Sequence, residues 1–166
     1  MNDYVLIGKI VNTHGIKGEL RILSDFDKKE LVFKNNFNIY IGPTYIKETI
    51  STYRVHKEFD MVTLIGYNNI NEVLKYKGLY VYIKREDLSL NKDEYIISDL
   101  IGMDIIENNN ILGKVVDFVY NKTNTLLVVE GEKKYYIPLV DEYVIRVDLK
   151  NKQIITKNVK DLIIWK

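Results

Sequence analysis

The chain has 166 residues, and 46% of them are hydrophobic, so it contains enough apolar side chains for a folded core. Its 24 basic and 23 acidic residues leave a net charge of +1, which argues against binding nucleic acid through a large positive excess. Cysteine is absent, which excludes disulfide bonds and thiolate chemistry.

Residue usage favours a mostly β protein. Alanine, the best helix former, is absent, whereas β-branched and aromatic residues are plentiful. No apolar run approaches the roughly 20 residues needed to span a bilayer, which predicts that the chain has no membrane segment. Residues 1–4 contain neither a basic region nor a long apolar stretch, so we expect no signal peptide and a cytoplasmic protein.

Residues 8–22 are the most informative segment, because they predict two strands joined by a turn. Gly15 and Gly18 permit the positive φ angles that such a turn needs. In the second strand, Leu20 and Ile22 point to one face. The polar side chains on display are those of His14, Lys17, Glu19 and Arg21. We interpret them as a partner-binding surface; a purely structural hairpin is the alternative, and local chemistry alone favours it.

The chain continues with short strands and one helix. Alternation and turn signals predict strands over residues 4–13, 19–23, 37–41, 45–56, 61–65 and 79–83. A short helix is predicted over 69–75, since Asn69 and Glu72 form a capping-box pattern and Gly78 follows as a stop signal.

Residues 84–94 are charged and poorly periodic, which is typical of a domain boundary. We therefore predict a first domain over residues 1–86, a linker over 87–94 and a second domain over 95–166. In the second domain, strands are predicted over 95–97, 103–106, 112–120, 126–130, 135–138, 143–149 and 153–156, followed by a helical turn over 159–163. This spacing predicts two small β-barrels joined by a linker.

Catalytic and metal-binding motifs are missing from the sequence. His14 and His56 are far apart and lack metal-ligand spacing, so a turn residue and a strand-surface residue are the better interpretations. There is no nucleophile elbow, P-loop or dinucleotide-binding glycine pattern. Acidic pairs such as Asp141 and Glu142 are more often solvated turn residues than acid–base catalysts. We predict no enzyme activity, no cofactor and no metal.

Two further segments are candidates for binding. Tyr95 lies beside the charged linker, where its ring can enter a partner's surface; it is equally consistent with the start of a strand. Pro138 is expected at a strand end or edge because it cannot donate to a sheet ladder. The loop after it turns Asp141 and Glu142 to solvent, and a simple strand connection is at least as good an interpretation.

Taken in order, several segments resemble the bacterial ribosome maturation factor RimM family. The segments that carry this resemblance are residues 8–21, 72–78, 94–95, 99–102, 112–115, 127–129 and 137–149. Each is weak alone, but their order and spacing are specific and cover nearly the whole chain. The resemblance implies a translation-factor-like barrel followed by a PRC-type barrel.

The resemblance also implies a non-enzymatic role in assembling the head of the small ribosomal subunit. The implied partners are ribosomal protein number nineteen of that subunit and the immature particle with its rRNA, bound by a monomer. Family members commonly have paired tyrosines in the linker segment; here Tyr95 matches the first, whereas Ile96 replaces the second and loses a hydroxyl. Nearby Asp99, with Asp141 and Glu142, offers carboxylates to a basic partner.

Two alternatives remain at this stage. One is direct rRNA binding through basic residues, namely Lys9, Lys17, Arg21, Lys84 and Arg85. The other is an enzyme with an unrecognised active site in a reductase-type barrel.

Overall fold

The computed structural model describes residues 4–121 and 123–164, without the side chains of Asn121 and Ile164. Residues 1–3, from which we expect no signal peptide, lie outside this description. The chain divides into two compact units, the first ending at Leu90 and the second beginning at Asn91. No helix within the described ranges is long and apolar enough to cross a membrane.

The first unit is a closed six-stranded barrel with the strand order β1-β2-β5-β4-β3-β6. Its strands are β1 (Tyr4–His14), β2 (Glu19–Leu23), β3 (Asn38–Ile41), β4 (Ile46–His56), β5 (Phe59–Leu64) and β6 (Tyr80–Lys84). Every neighbouring pair is antiparallel. Leu20 and Ile22 are fully buried, which confirms the predicted inward face of β2.

The predicted capping box is confirmed at the start of helix α2 (Ile70–Val73), which continues as a 3-10 turn over Leu74–Tyr76. The Asn69 side chain accepts a hydrogen bond from the backbone N–H of Glu72, whose carboxylate accepts one from the N–H of Asn69. The N–H of Ile70 donates to the carbonyl of Ile16 at 2.9 Å. The helix start is therefore tied to the turn between β1 and β2.

The second unit contains a six-stranded sheet with the order β10-β9-β8-β7-β12-β11. Its strands are β7 (Asp104–Glu107), β8 (Asn110–Asn121), β9 (Asn124–Glu130), β10 (Lys134–Pro138), β11 (Val144–Asp148) and β12 (Gln153–Thr156). Only β7 and β12 pair in parallel. Pro138 ends β10, as predicted, and helix α3 (Val159–Ile164) follows the sheet.

Side chains from most of these elements form one core in the second unit. Its fully buried members include Leu100, Ile105, Leu127, Val129 and Ile154. The fold class predicted from the sequence, mostly β with two small strand-based units, is confirmed.

One local prediction needs correction, and one short helix was not predicted. The strand predicted over 95–97 is wrong, because a 3-10 helix over Ile97–Leu100 begins there. Asp99 causes the difference, since its carboxylate accepts the backbone N–H of Ile96 at 3.1 Å and favours a tight turn. The four-residue helix α1 (Lys29–Val32) was not predicted, because it has no side-chain cap that a sequence pattern would show. Lys122, in the loop between β8 and β9, lies outside the described residues.

Candidate functional site

The turn between β1 and β2 has the geometry that its glycines predict. His14 pairs with Glu19 across the two strands, so four residues form the connection. Gly15 and Gly18 have φ angles of 70° and 95°, which side chains with a Cβ rarely adopt. Ile16 is 76% exposed at the tip. The turn therefore presents a rigid, partly apolar tip.

Glu19 is bound by a residue from another strand. Both of its carboxylate oxygens accept hydrogen bonds from Arg54 on β4, with N···O distances of 2.8 Å. The hydrogen bond from Arg54 is the largest influence on this carboxyl group and, against the opposing effect of burial, holds the pKa of Glu19 below its usual value. The carboxylate of Glu19 therefore links β2 to β4, and both of its oxygens already accept a hydrogen bond within the barrel.

Arg21 is held in a similar way. Its Nη2 lies 2.8 Å from Nδ1 of His14, and its guanidinium carbon lies 5.0 Å from the ring centroid of Phe59. Because arginine only donates, a hydrogen bond between these two atoms uses Nδ1 of His14 as the acceptor. A cation over an aromatic ring adds a further attraction.

His56 completes the group, which we call the turn cluster: His14, Glu19, Arg21, Arg54, His56 and Phe59. The rings of His14 and His56 have centroids 5.4 Å apart. Burial, followed by the positive charge of Arg54, lowers the pKa of His56 below its ordinary value. At neutral pH this favours an uncharged imidazole beside the two arginines.

Sequence reasoning placed three members of the turn cluster together and missed the other three. The hairpin predicted from residues 8–22 brings His14, Glu19 and Arg21 to one place. The residues from β4 and β5 join them only because β2 pairs with β5, and β5 with β4. No local pattern signals this pairing. Lys17 is exposed and lines a shallow hollow together with His14 and Glu19 of the turn cluster.

The candidate residues that follow the predicted linker differ in exposure. Tyr95 is partly buried and packs against the core of the second unit. Ile96 has no exposed surface, so contact with a partner through this side chain would first require exposing it. Asp99 is partly buried and accepts the backbone N–H of Ile96. Among these three residues, Tyr95 and Asp99 retain surface.

Asp141 and Glu142 are both exposed in the loop between β10 and β11, which we call the acidic loop (residues 139–143). The carbonyl of Glu142 accepts a hydrogen bond from the Asn158 side chain at 3.5 Å. Burial first, and then the carboxylate of Glu142, raises the pKa of Tyr143. The acidic loop therefore carries negative charge directly before Ile145, which is 57% exposed.

Metal-ligating side chains do not cluster in the part of the chain that the structure describes. No group of three or more His, Cys, Asp or Glu side chains within residues 4–121 and 123–164 is arranged to hold a metal ion. The two β units instead present ion pairs, an acidic loop and exposed apolar side chains.

Comparison with known proteins assigns both units to one family. Residues 5–88 match the RimM N-terminal domain, and residues 97–162 match the RimM PRC barrel domain. The ribosome maturation factor RimM of Staphylococcus haemolyticus is 41% identical over 155 residues, covering 90% of this chain and 93% of that protein. The corresponding factor of Staphylococcus aureus is 35% identical, covering 96% and 98%. The chain belongs to the RimM family of ribosome maturation factors.

A solved structure is similar over nearly the same length. It is a RimM protein of Pseudomonas aeruginosa, described as a 16S ribosomal RNA processing protein. It is 20% identical, with a TM-score of 0.44 and coverage of 96% of this chain and 99% of that one.

Proposed function

We propose that this chain is a non-enzymatic assembly chaperone for the head of the small ribosomal subunit. It binds ribosomal protein number nineteen of that subunit in the cytoplasm and thereby promotes rRNA processing. Membership of the RimM family, carried by matches to both units, is the observation that supports this proposal most strongly.

Charge complementarity supports a basic protein as the partner. Ribosomal proteins are typically basic, and the acidic loop exposes the side chains of Asp141 and Glu142, the second of which also accepts a hydrogen bond from the Tyr143 hydroxyl. Asp161 lies close enough to raise the pKa of Tyr143, so it adds a further negative charge near the loop. Exposed Ile145 supplies apolar area beside these charges. A partner surface with basic residues around an apolar centre would complement the acidic loop and Ile145.

Tyr95 is the proposed aromatic contact, and its packing determines how it must be tested. Since its ring contacts the core of the second unit, Tyr95→Ala removes packing as well as any partner contact. We expect Tyr95→Ala to weaken binding to immature small subunits and also to lower the melting temperature. Tyr95→Phe keeps the ring, so it separates a loss of the hydroxyl from a loss of packing. Thermal unfolding followed by circular dichroism reports the packing effect.

Isothermal titration of the full chain with purified ribosomal protein number nineteen tests the partner directly. The D141N/E142Q variant removes both charges of the acidic loop while keeping side-chain size. E130Q/E132Q is the matched control, because Glu130 and Glu132 are also exposed carboxylates of the second unit. We expect D141N/E142Q to weaken binding by about tenfold or more, as charged interface pairs often contribute over 1.4 kcal/mol.

The control variant should bind like the unaltered chain. Equal loss in both double variants would mean that only overall charge matters and would contradict a specific role for the acidic loop. No heat of binding for the unaltered chain would contradict the proposed partner itself.

A further inference from the structure

The outer face of the barrel of the first unit carries tyrosines and lysines in alternation with core residues. Along β6, Val81 and Ile83 are fully buried, whereas Tyr80 is 48% exposed. The register pairs Lys9 with Tyr80 and Tyr4 with Lys84 across β1 and β6. We call this the aromatic–lysine face: Tyr4, Lys9, Tyr45, Tyr80, Tyr82 and Lys84.

The tyrosines of this face are held in a fixed arrangement. Tyr45 stacks on Tyr4 with ring centroids 3.9 Å apart and an angle of 5° between the ring planes. Tyr82 meets Tyr45 edge-on at 5.0 Å. Tyr45 has a φ of 58°, an unfavourable conformation for a bulky residue, and it is still 38% exposed. The fold thus maintains a strained tyrosine whose ring is left partly in solvent.

The charges on this face are positive. Nζ of Lys9 lies 5.4 Å from the ring centroid of Tyr80, and Nζ of Lys84 lies 5.2 Å from that of Tyr40. These lysines are the only Asp, Glu, Lys or Arg residues on β1, β3 and β6, all of which are described throughout. The carboxylate of Glu48 on neighbouring β4 accepts hydrogen bonds from Tyr67 and Tyr76.

We propose that the aromatic–lysine face binds single-stranded RNA. Exposed tyrosine rings provide surfaces on which unpaired bases stack, and flanking lysines neutralise the phosphates between them. A base-paired duplex does not offer its base faces, so a single strand fits this surface better. This inference adds a second partner to the proposed function and does not depend on binding of ribosomal protein number nineteen.

Fluorescence anisotropy of the full chain with a labelled twelve-nucleotide oligoadenylate tests this inference. We expect Tyr80→Ala to weaken binding about fivefold or more, the lower end of the effect of losing one base–aromatic stack. Tyr80→Phe keeps the ring and should bind nearly as well as the unaltered chain. Tyr136→Ala is the matched control, because Tyr136 is a similarly exposed tyrosine, at 37%, in the second unit. Melting temperatures verify that each variant is folded.

Salt dependence provides an independent measurement on the same complex. The logarithm of the binding constant for a single strand falls by about 0.7 per phosphate contact for each tenfold rise in salt. Lys9→Gln should therefore reduce this slope by about 0.7, whereas Lys17→Gln at the turn should leave it unchanged.

Several outcomes would overturn the inference. One is the absence of oligoadenylate binding at low salt. Another is an equal loss of oligoadenylate affinity in Tyr80→Ala and Tyr136→Ala. A third is that Tyr80→Ala weakens binding of ribosomal protein number nineteen but not of the oligonucleotide. The last result would assign the face to a protein partner. If the protein partner binds normally and the oligonucleotide does not, only the inference fails. Retained RNA binding by D141N/E142Q would support two separate surfaces.

Discussion

The turn cluster of the first unit and the acidic loop of the second unit both carry charged residues that the sequence nominates for binding, but they hold them differently. In the turn cluster, Glu19 is clamped by Arg54 and Arg21 is held between His14 and Phe59. In the acidic loop, the side chains of Asp141 and Glu142 are exposed, and neither is paired with an arginine or lysine by a described contact. A motif rich in charge is therefore not necessarily the part that contacts a partner.

From this difference we predict separate tasks for the two regions. The bound charges of the turn cluster join β1, β2, β4 and β5 at one end of the barrel, so their removal should mainly affect stability. The solvated charges of the acidic loop are available to a partner, so their removal should mainly affect binding. Measurements of unfolding and of binding on the same variants can separate these tasks.

The largest expected effect on stability is at the turn glycines. A Cβ at Gly18 would lie 3.3 Å from the carbonyl oxygen of Asn69, whereas a Cβ at Gly15 would have nothing within 4 Å. Both substitutions to alanine incur the strain of a positive φ, about 1 to 2 kcal/mol. We expect Gly18→Ala to cost about 2 kcal/mol of unfolding free energy and Gly15→Ala about 1 kcal/mol. Urea denaturation measures both, and equal losses would contradict the contact with Asn69.

A smaller effect is expected for Glu19→Gln, and it should depend on pH. The folded protein holds the pKa of Glu19 below its ordinary value of 4.5, so the ionised group stabilises the fold above that value. This stabilisation is lost as the pH falls through the lowered pKa. The difference in stability between the unaltered chain and Glu19→Gln should be constant above about pH 5.5 and shrink towards pH 3. A difference that grows on acidification would refute the ion pair's role.

The smallest effect on stability is expected for D141N/E142Q. Exposed substitutions away from special contacts usually change unfolding free energy by no more than about 0.5 kcal/mol. Chemical denaturation should therefore give nearly the same midpoint as the unaltered chain, even though we expect binding of the protein partner to fall. A loss above about 1 kcal/mol would show that the acidic loop is structural, like the turn cluster.

Local signals predicted the parts of this molecule that local chemistry determines. The capping pair of Asn69 and Glu72 and the strand end at Pro138 were predicted because each depends on a few adjacent residues. The strand predicted at Tyr95 was wrong because one side chain, that of Asp99, redirects the backbone. The partners of the turn cluster were missed because the clamp from Arg54 to Glu19 joins residues 35 positions apart.

The candidate binding residues show the same contrast between what a local pattern predicts and what the tertiary structure determines. The pattern of charges nominated Asp141, Glu142 and Glu19 alike, and it did not distinguish the two exposed carboxylates from the clamped one. Burial makes that distinction, and it also shows that Ile96 lies beneath the surface. Part of the aromatic–lysine face follows from the alternation of exposed and buried residues along β6. Tyr45 lies in the turn between β3 and β4, and it stacks on Tyr4 of β1 only because the barrel is closed.

The most direct test of the account is the state of 16S rRNA in cells that lack this protein. Small subunits are fractionated on sucrose gradients, and the ends of their rRNA are mapped with and without complementation. We predict that precursors with unprocessed ends accumulate, that the unaltered chain restores processing, and that D141N/E142Q restores it poorly at equal abundance. Fully mature rRNA ends in the deletion cells would contradict the claim that this chain acts in assembling the small subunit.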